Sequence, residues 1–352
     1  MGRLAFVFPG QGSQYVGMGQ ALAAESAAAE SVFAEADAAL GEQISALAWS
    51  GDAAELDLTA NAQPTLVATS IAYLRGLEER LVGDGRPLPE PAFMAGHSMG
   101  QYTAMVAAGV LSLADGVRLV RERGRLMQAS GAGREGAMAA IIGLDDARLP
   151  ELEAVGRAAG DFTIANRNSP GQVVVSGERA AIDAAVAAAK ALGARRAVVL
   201  PVSVAAHSPL MATAADGMHR VLADVPFRDP VVPLLANADA RPLTTGDACR
   251  AELVEHLTTG VDWIAAVRAM TAAGVTTFVE VGPGRVLTGL IRRIAPDANA
   301  VALDEADAPG RLAVPPALAG DSTATPPGSA EAADGARSAG EGRPAPGIPA
   351  NR

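Results

Sequence analysis

A serine between two glycines, in the stretch GHSMG at residues 96–100, has the pattern found around many nucleophilic serines. The apolar stretch AFMA precedes it at 92–95, and apolar residues recur at every fourth position from Tyr102. Strand, tight turn and helix together expose a serine hydroxyl at a helix start, where free N–H groups can stabilise an oxyanion. The pattern predicts that Ser98 is a nucleophile; the alternative is an unreactive serine in an ordinary turn.

A serine nucleophile needs a base, and histidine is the usual one. The chain has four histidines: His97, His207, His219 and His256. We expect His97, adjacent to Ser98, to point elsewhere and pack, and His219, in a polar helical stretch, to lie on the surface. His207 follows small residues in a loop, LPVSVAAHSPLM, at the edge of an expected cleft. His207 is therefore the predicted base, and a loop histidine without catalytic function is the alternative.

A third group that orients the base is harder to find. In α/β-hydrolases the chain order is serine, acid, histidine, and Ser98–Asp183–His207 or Ser98–Asp239–His256 could satisfy it. Asp183, however, lies in the helical stretch RAAIDAAVAAAK, and there is no HGGG-type oxyanion motif. A simple serine hydrolase is therefore disfavoured, although it stays open as an alternative.

Short continuous apolar runs separated by alanine-rich helical stretches predict a mostly parallel sheet. They lie at 3–8, 92–95, 231–236 and 276–281. Residues 131–201 instead follow the order β-α-β-β-α-β of a ferredoxin-like module. The predicted fold is α/β, with an α/β-hydrolase-like core (1–130 and 202–303) and this inserted subdomain (131–201).

The composition and charge bear on the tail, the partners and the location of the protein. Residues 304–352 are rich in proline, alanine and glycine and lack aromatic residues, which predicts a disordered tail. The net charge of -11 makes nucleic acid and anionic membranes poor partners. The single cysteine, Cys249, gives neither a disulfide framework nor a zinc site. The first apolar run is too short for a secretory signal, so a cytoplasmic location is expected.

Several stretches together resemble the malonyl-CoA:acyl carrier protein transacylases of fatty acid and polyketide synthesis. They occur in the family's order and span nearly the whole of residues 1–303. The segments are FPGQGSQYVGMG (8–19), NAQPTL (61–66), AGHSMGQY (95–102), RERGRLMQ (121–128), AMAAIIGL (137–144), NRNSPGQVVVSG (166–177), VSVAAHSPLM (202–211) and VEVGPGRVLTGLIRRI (279–294).

The resemblance implies roles for the reactive residues. Ser98 would take the malonyl group from coenzyme A as a covalent ester, and His207 would be its general base. In the family a backbone carbonyl orients this histidine, and its position falls at His256. We therefore expect the side chain of residue 256 to matter little.

The resemblance also implies residues that bind the acyl group. The backbone N–H groups of Gln11 and Met99 would form the oxyanion hole. Arg123 would bind the free malonyl carboxylate, because a guanidinium makes two parallel hydrogen bonds to a planar carboxylate. From the residues alone, Arg121, Arg123 and Arg125 could equally form a solvated basic face.

The implied reaction is a ping-pong transfer to the phosphopantetheine thiol of an acyl carrier protein, without a cofactor, by a monomer. Carrier proteins are acidic, so a local basic patch is needed, and residues 195–196, Arg285 or 292–293 could supply it. Gln101 stands where the family commonly has glutamate, and TTGVD where it often reads Asn-Pro-Val. Ala206 stands where many malonyl-selective members have phenylalanine, so a substituted malonyl group or a polyketide pathway is the alternative.

Overall fold

A computed structural model describes residues 3–130, 135–202 and 204–304, so the predicted tail, apart from Asp304, lies outside the described residues. The strands are β1 (Arg3–Phe8), β2 (Phe93–Gly96), β3 (Gly136–Ile142), β4 (Phe162–Ser169), β5 (Gln172–Glu178), β6 (Arg196–Val199), β7 (Leu234–Leu235), β8 (Pro242–Leu243), β9 (Val261–Asp262), β10 (Val275–Glu280) and β11 (Asn299–Ala302).

Helices connect most of these strands. They are α1 (Gln20–Glu25), α2 (Ala27–Leu40), α3 (Ile44–Ser50), α4 (Ala53–Asp57), α5 (Thr59–Gly83), α6 (Gly100–Ala107), α7 (Leu113–Ser130), α8 (Leu149–Ala159), α9 (Arg179–Ala189), α10 (Ala212–Ala223), α11 (Gly246–Thr259), α12 (Trp263–Ala272) and α13 (Val286–Ile294). Short 3-10 turns lie at Asp146–Arg148 and Pro209–Met211.

The larger sheet has the strand order β11-β10-β1-β2-β7-β8 and is parallel except for the β7–β8 pair. After Arg3, its central strand β1 is apolar because both of its faces are covered. Phe6 and Phe8 pack into one hydrophobic cluster, whereas Ala5 and Val7 pack into another on the opposite face. The predicted α/β class with a mostly parallel sheet is confirmed.

The second sheet has the order β6-β3-β5-β4-β9. Its first four strands are antiparallel, and the apolar residues of one face pack with α8 and α9, as in a ferredoxin-like module. Strand β9, which the sequence-based division assigns to the core, pairs in parallel with β4. The division at 130/131 and 201/202 itself stays a prediction.

Two predicted elements differ in extent from the observed ones. Of the run 231–236, Leu234 and Leu235 alone form a strand, and Val231 is 75% exposed. Pro233 has no N–H to donate, and its carbonyl accepts from Met94 instead. The helix predicted from Asp145 begins with a 3-10 turn, and α8 starts at Leu149.

Asp304, which we placed at the start of the tail, is buried and hydrogen-bonded. Its carboxylate accepts from the hydroxyls of Tyr15 and Tyr73 and from the N–H of Gly284. Asp304 therefore packs with the folded part of the chain and not with a tail.

Candidate active site

The turn between β2 and α6 holds Ser98 in an unusual backbone conformation. Ser98 has φ 53°, in the left-handed region that costs a non-glycine residue about 1–2 kcal/mol. A Cβ on Gly96 would overlap the carbonyl group of Gly100, and one on Gly100 would overlap the carbonyl oxygen of Phe8. The two glycines are thus needed for close packing, whereas the strained backbone angle belongs to the serine itself.

Ser98 and His207 face each other across the cleft, with Ser98 Oγ 2.8 Å from His207 Nε2. His207 Nδ1 lies 2.6 Å from the carbonyl oxygen of His256, an acceptor. Nδ1 therefore carries the proton, and Nε2 accepts from the serine hydroxyl. His207 also has a positive φ, 61°, so both reacting side chains sit on strained backbone.

The electrostatics of the cleft keep His207 neutral. Burial lowers its pKa to about 3, and the positive charge of Arg123 adds to this effect. The hydrogen bond to the carbonyl of His256 acts in the opposite direction. A neutral imidazole with a free lone pair on Nε2 can remove the Ser98 proton.

The two aspartates considered from the sequence lie away from this pair. Asp183 is exposed on α9 and pairs with Arg179 at 3.5 Å. Asp239 is exposed and pairs with Arg241 at 3.1 Å. In the described ranges, the Nδ1 partner of His207 is a backbone carbonyl and not a carboxylate.

Arg123 lies beside Ser98 and is 2% exposed, so it is not part of a solvated face. Its Nη1 donates to Gln63 Oε1 at 2.8 Å, and its Nη2 lies 3.4 Å from Ser98 Oγ and 3.3 Å from His256 Nε2. Burial lowers its pKa. No carboxylate pairs with it in the described part of the chain. The His256 side chain, which we expected to matter little, thus contacts this guanidinium.

Close packing of α5 against α7 places Arg123 beside Ser98. A Cβ on Gly124 would come within 2.5 Å of Ala60 Cα, so the helices can approach only because residue 124 is glycine. Pro64 inside α5 has no N–H for the carbonyl of Ala60, and Arg121 Nη1 donates to that carbonyl at 2.9 Å. Arg121 therefore ties the helices together, and Arg123 reaches the cleft.

The third arginine of this segment, Arg125, is exposed and lies 3.7 Å from Glu42. The interpretation of a solvated basic face therefore applies to Arg125 and not to Arg121 or Arg123.

The cleft beside Ser98 has a volume of about 550 Å³, and Gln11 and Met99 line it. Among the described residues, neither the N–H of Gln11 nor that of Met99 has a protein acceptor. The N–H of Ser98 differs, since it donates to Asn237 Oδ1 at 2.8 Å. Two free amides near the serine hydroxyl can stabilise a developing oxyanion.

His97 also lines the cleft, contrary to our expectation that it points elsewhere. Its ring packs edge-on against Trp263, as a packing residue would, but its Nε2 lies 2.8 Å from Asn168 Oδ1. Asn168 likewise lines the cleft, and we did not single it out from the sequence. His219 is exposed on α10, as expected.

Two residues that depart from the family pattern, Gln101 and Ala206, lie in different parts of the site. Gln101 is fully buried and bridges the two strands beside Ser98, because it accepts from the N–H of Gly96 and donates to the carbonyl of Leu235. Ala206 lines the cleft next to His207. The first departure supports the turn, and the second places a small side chain beside the reacting groups.

Neither a metal-binding cluster nor a helix suited to cross a membrane lies in residues 3–130, 135–202 and 204–304. No group of three or more His, Cys, Asp or Glu side chains there is arranged to hold a metal ion. None of the helices in those ranges is both long and apolar enough to cross a membrane.

Comparison with known proteins agrees with the family resemblance seen in the sequence. The family model for the acyl transferase domain matches residues 5–305. The malonyl CoA-acyl carrier protein transacylase of Escherichia coli (strain K12) is 47% identical over 308 residues, which are 88% of this chain and 98% of that protein. The crystal structure of the acyl-carrier-protein S-malonyltransferase of Bartonella henselae has a TM-score of 0.81 at 45% identity and covers 87% of this chain and 96% of its own.

A second similar structure is a malonyl-transacylase in complex with its type II polyketide acyl-carrier protein. It has a TM-score of 0.80 at 40% identity, covering 86% of this chain and 97% of that one. The resemblance seen in the sequence is confirmed, and the chain belongs to the acyl transferase family.

Proposed function

We propose that this chain transfers a malonyl group from malonyl-CoA to the phosphopantetheine thiol of an acyl carrier protein. The observation that carries the proposal is a buried arginine without a carboxylate partner among the described residues, placed 3.4 Å from a serine hydroxyl that faces a neutral histidine. A nucleophile beside an uncompensated cation suits an acyl group with its own negative charge. Relatives named malonyl CoA-acyl carrier protein transacylases support the same activity.

In the first half-reaction His207 Nε2 takes the proton of Ser98 Oγ, and Oγ bonds to the thioester carbonyl carbon. The N–H groups of Gln11 and Met99 stabilise the oxyanion, and Arg123 holds the malonyl carboxylate. The C–S bond then breaks, and the thiolate of coenzyme A leaves with the proton from His207.

The second half-reaction reverses this path with a different thiol. His207 takes the proton of the carrier's phosphopantetheine thiol, and sulfur bonds to the acyl carbon. The C–Oγ bond then breaks, and Ser98 Oγ takes the proton back from His207 Nε2. Throughout, the carbonyl of His256 keeps His207 in the tautomer that presents Nε2. We further propose that the protein needs no cofactor and acts as a monomer in the cytoplasm.

A trapping experiment with radiolabelled malonyl-CoA tests the proposal. Wild type and Ser98→Ala are incubated with the label, with and without holo acyl carrier protein. We expect label on wild-type Ser98 that passes to the carrier, and none on the variant. Release of free malonate without a carrier would indicate a serine hydrolase, and absence of label on wild type would contradict the proposal.

Ala206 favours a second candidate substrate, an α-substituted malonyl group, because a small residue lines the cleft next to the base. Competition between malonyl-CoA and methylmalonyl-CoA measures the preference of the enzyme between the two acyl groups. An Ala206→Phe variant should lose methylmalonyl transfer while keeping malonyl transfer, and an unchanged ratio would exclude a selective role for residue 206. The type II polyketide carrier bound to one similar structure makes polyketide synthesis the alternative pathway to fatty acid synthesis.

A further inference from the structure

The ring of His256 is fully buried between the two parts of the proposed catalytic machinery. Its backbone carbonyl accepts from His207, and its Nε2 lies 3.3 Å from Arg123 Nη2. We propose that the His256 side chain is a positioning residue that aims Arg123 at the carboxylate of the acyl group. The inference rests on the proposed function, because it assigns the selection of a charged acyl group partly to this ring.

The hydrogen-bond partners of the ring determine its tautomer. Nδ1 lies 3.0 Å from the carbonyl oxygen of Glu252, which can only accept, so Nδ1 carries the proton. Nε2 faces a guanidinium, which can only donate, so Nε2 presents its lone pair to Arg123. Burial and the charge of Arg123 both lower the pKa of His256, in agreement with a neutral ring. Tyr102 packs edge-on at 6.2 Å and restricts rotation of the imidazole.

A neutral acceptor at this position has a specific advantage over a carboxylate. Gln63 Oε1 holds Nη1 and His256 Nε2 holds Nη2, so both terminal nitrogens of Arg123 are fixed by uncharged groups. A carboxylate partner would neutralise the guanidinium before substrate arrived. The observed pair orients the guanidinium while leaving its charge for the ligand. Nη1 keeps a second N–H, and the second N–H of Nη2 faces Ser98 Oγ at 3.4 Å, where the acyl group would be bound.

Replacement of the ring separates this role from the backbone contact, which every residue at 256 retains. The variants are His256→Phe, which removes the acceptor, and His256→Gln, which offers an amide oxygen instead. His219→Phe, at an exposed position outside the cleft, is the matched control. For each, kcat/KM is measured for transfer of malonyl and of acetyl groups from coenzyme A to holo carrier protein.

His256→Phe should lower the malonyl-to-acetyl ratio about tenfold, the effect of losing one hydrogen bond to a charged group. His256→Gln should keep the ratio within about threefold, and His219→Phe should not change it. Equal losses of malonyl and acetyl transfer in His256→Phe, or an unchanged ratio, would overturn the inference. If His256→Phe does not fold, His256→Leu removes the same acceptor with a smaller side chain.

A binding measurement distinguishes this inference from the proposed function. Free malonate is titrated calorimetrically into Ser98→Ala and into Ser98→Ala/His256→Phe, where no transfer can occur. A Kd about tenfold weaker in the double variant supports the role of His256, even if wild type fails to acylate the carrier protein. Equal malonate affinities, with transfer intact in wild type, would refute the role of His256 alone.

Discussion

The backbone N–H of Ser98 donates to Oδ1 of Asn237 at 2.8 Å, a contact that joins residues 139 positions apart in the chain. Asn237 is itself held, because its own N–H donates to Glu252 Oε1 at 2.7 Å. The contact explains how a serine with φ 53° keeps its strained conformation. It also removes the serine N–H from the set of amides that face the cleft.

Asn237→Ala should therefore slow catalysis without weakening substrate binding. Without the side-chain acceptor the turn can relax, and a displacement of Oγ by a fraction of an ångström is expected to lower kcat by about tenfold or more. KM for malonyl-CoA should change little, because Arg123 is untouched. Steady-state kinetics measure kcat and KM for malonyl-CoA, and Asn299→Ala, at an exposed asparagine, is the control. A raised KM with unchanged kcat would argue against a role of Asn237 in holding the Ser98 turn.

Arg123→Ala should lose malonyl transfer and gain acetyl transfer relative to it. The lost bidentate contact with a carboxylate should lower kcat/KM for malonyl-CoA by about a hundredfold, whereas acetyl-CoA has no carboxylate to lose. Arg125→Ala is the matched control, since Arg125 lies on the same helix but is exposed. An unchanged acyl preference in Arg123→Ala would show that the carboxylate binds elsewhere.

The pH dependence of acylation should reflect the lowered pKa of His207. The neutral imidazole is the active form, so activity falls only when pH drops toward the pKa, which burial and Arg123 lower to about 3. Acylation by the neutral probe p-nitrophenyl acetate should thus stay level from about pH 8 to about pH 5, where an unperturbed histidine would be mostly protonated.

In Arg123→Leu the acid limb of this profile should move to higher pH, because the charge that disfavours imidazolium is gone. Arg125→Leu should leave the profile unchanged. An acid limb near pH 6.5 in wild type would mean that His207 is not held neutral in the way the buried geometry implies.

The local parts of the site could be predicted from the sequence, and the long-range contacts could not. Ser98 and His207 stand out because a glycine-flanked serine and a histidine in a loop of small residues are local patterns. Gln63 and Asn237 gave no such signal, since their contacts with Arg123 and Ser98 span 60 and 139 residues. Nothing in the composition of the loop indicates that His207 adopts a positive φ.

In the fold, too, elements with a local sequence pattern could be predicted, and elements that depend on distant contacts could not. The parallel sheet and the β-α-β-β-α-β unit follow from runs of apolar residues with local periodicity. Strand β9 has two residues, too few for any periodicity, and its position depends on pairing with the distant strand β4. Strand β7 lies within the predicted run 231–236, but pairing with β2 restricts it to two residues. The contact of the His256 ring could not be predicted locally because its partner Arg123 lies on another helix, 133 residues away.

Gly124→Ala should weaken both stability and acyl selection, because the added Cβ would lie 2.5 Å from Ala60 Cα and force α5 and α7 apart. Overpacking of this kind costs about 2 kcal/mol, and the shift would draw Arg123 away from Gln63. Gly289→Ala on α13 is the matched control, since a Cβ there meets nothing within 4 Å and should stabilise the helix by about 0.5–1 kcal/mol. Thermal unfolding and the malonyl-to-acetyl ratio are measured for both variants. Equal stability of the two, with unchanged selectivity, would mean that the close approach at residue 124 does not position the arginine.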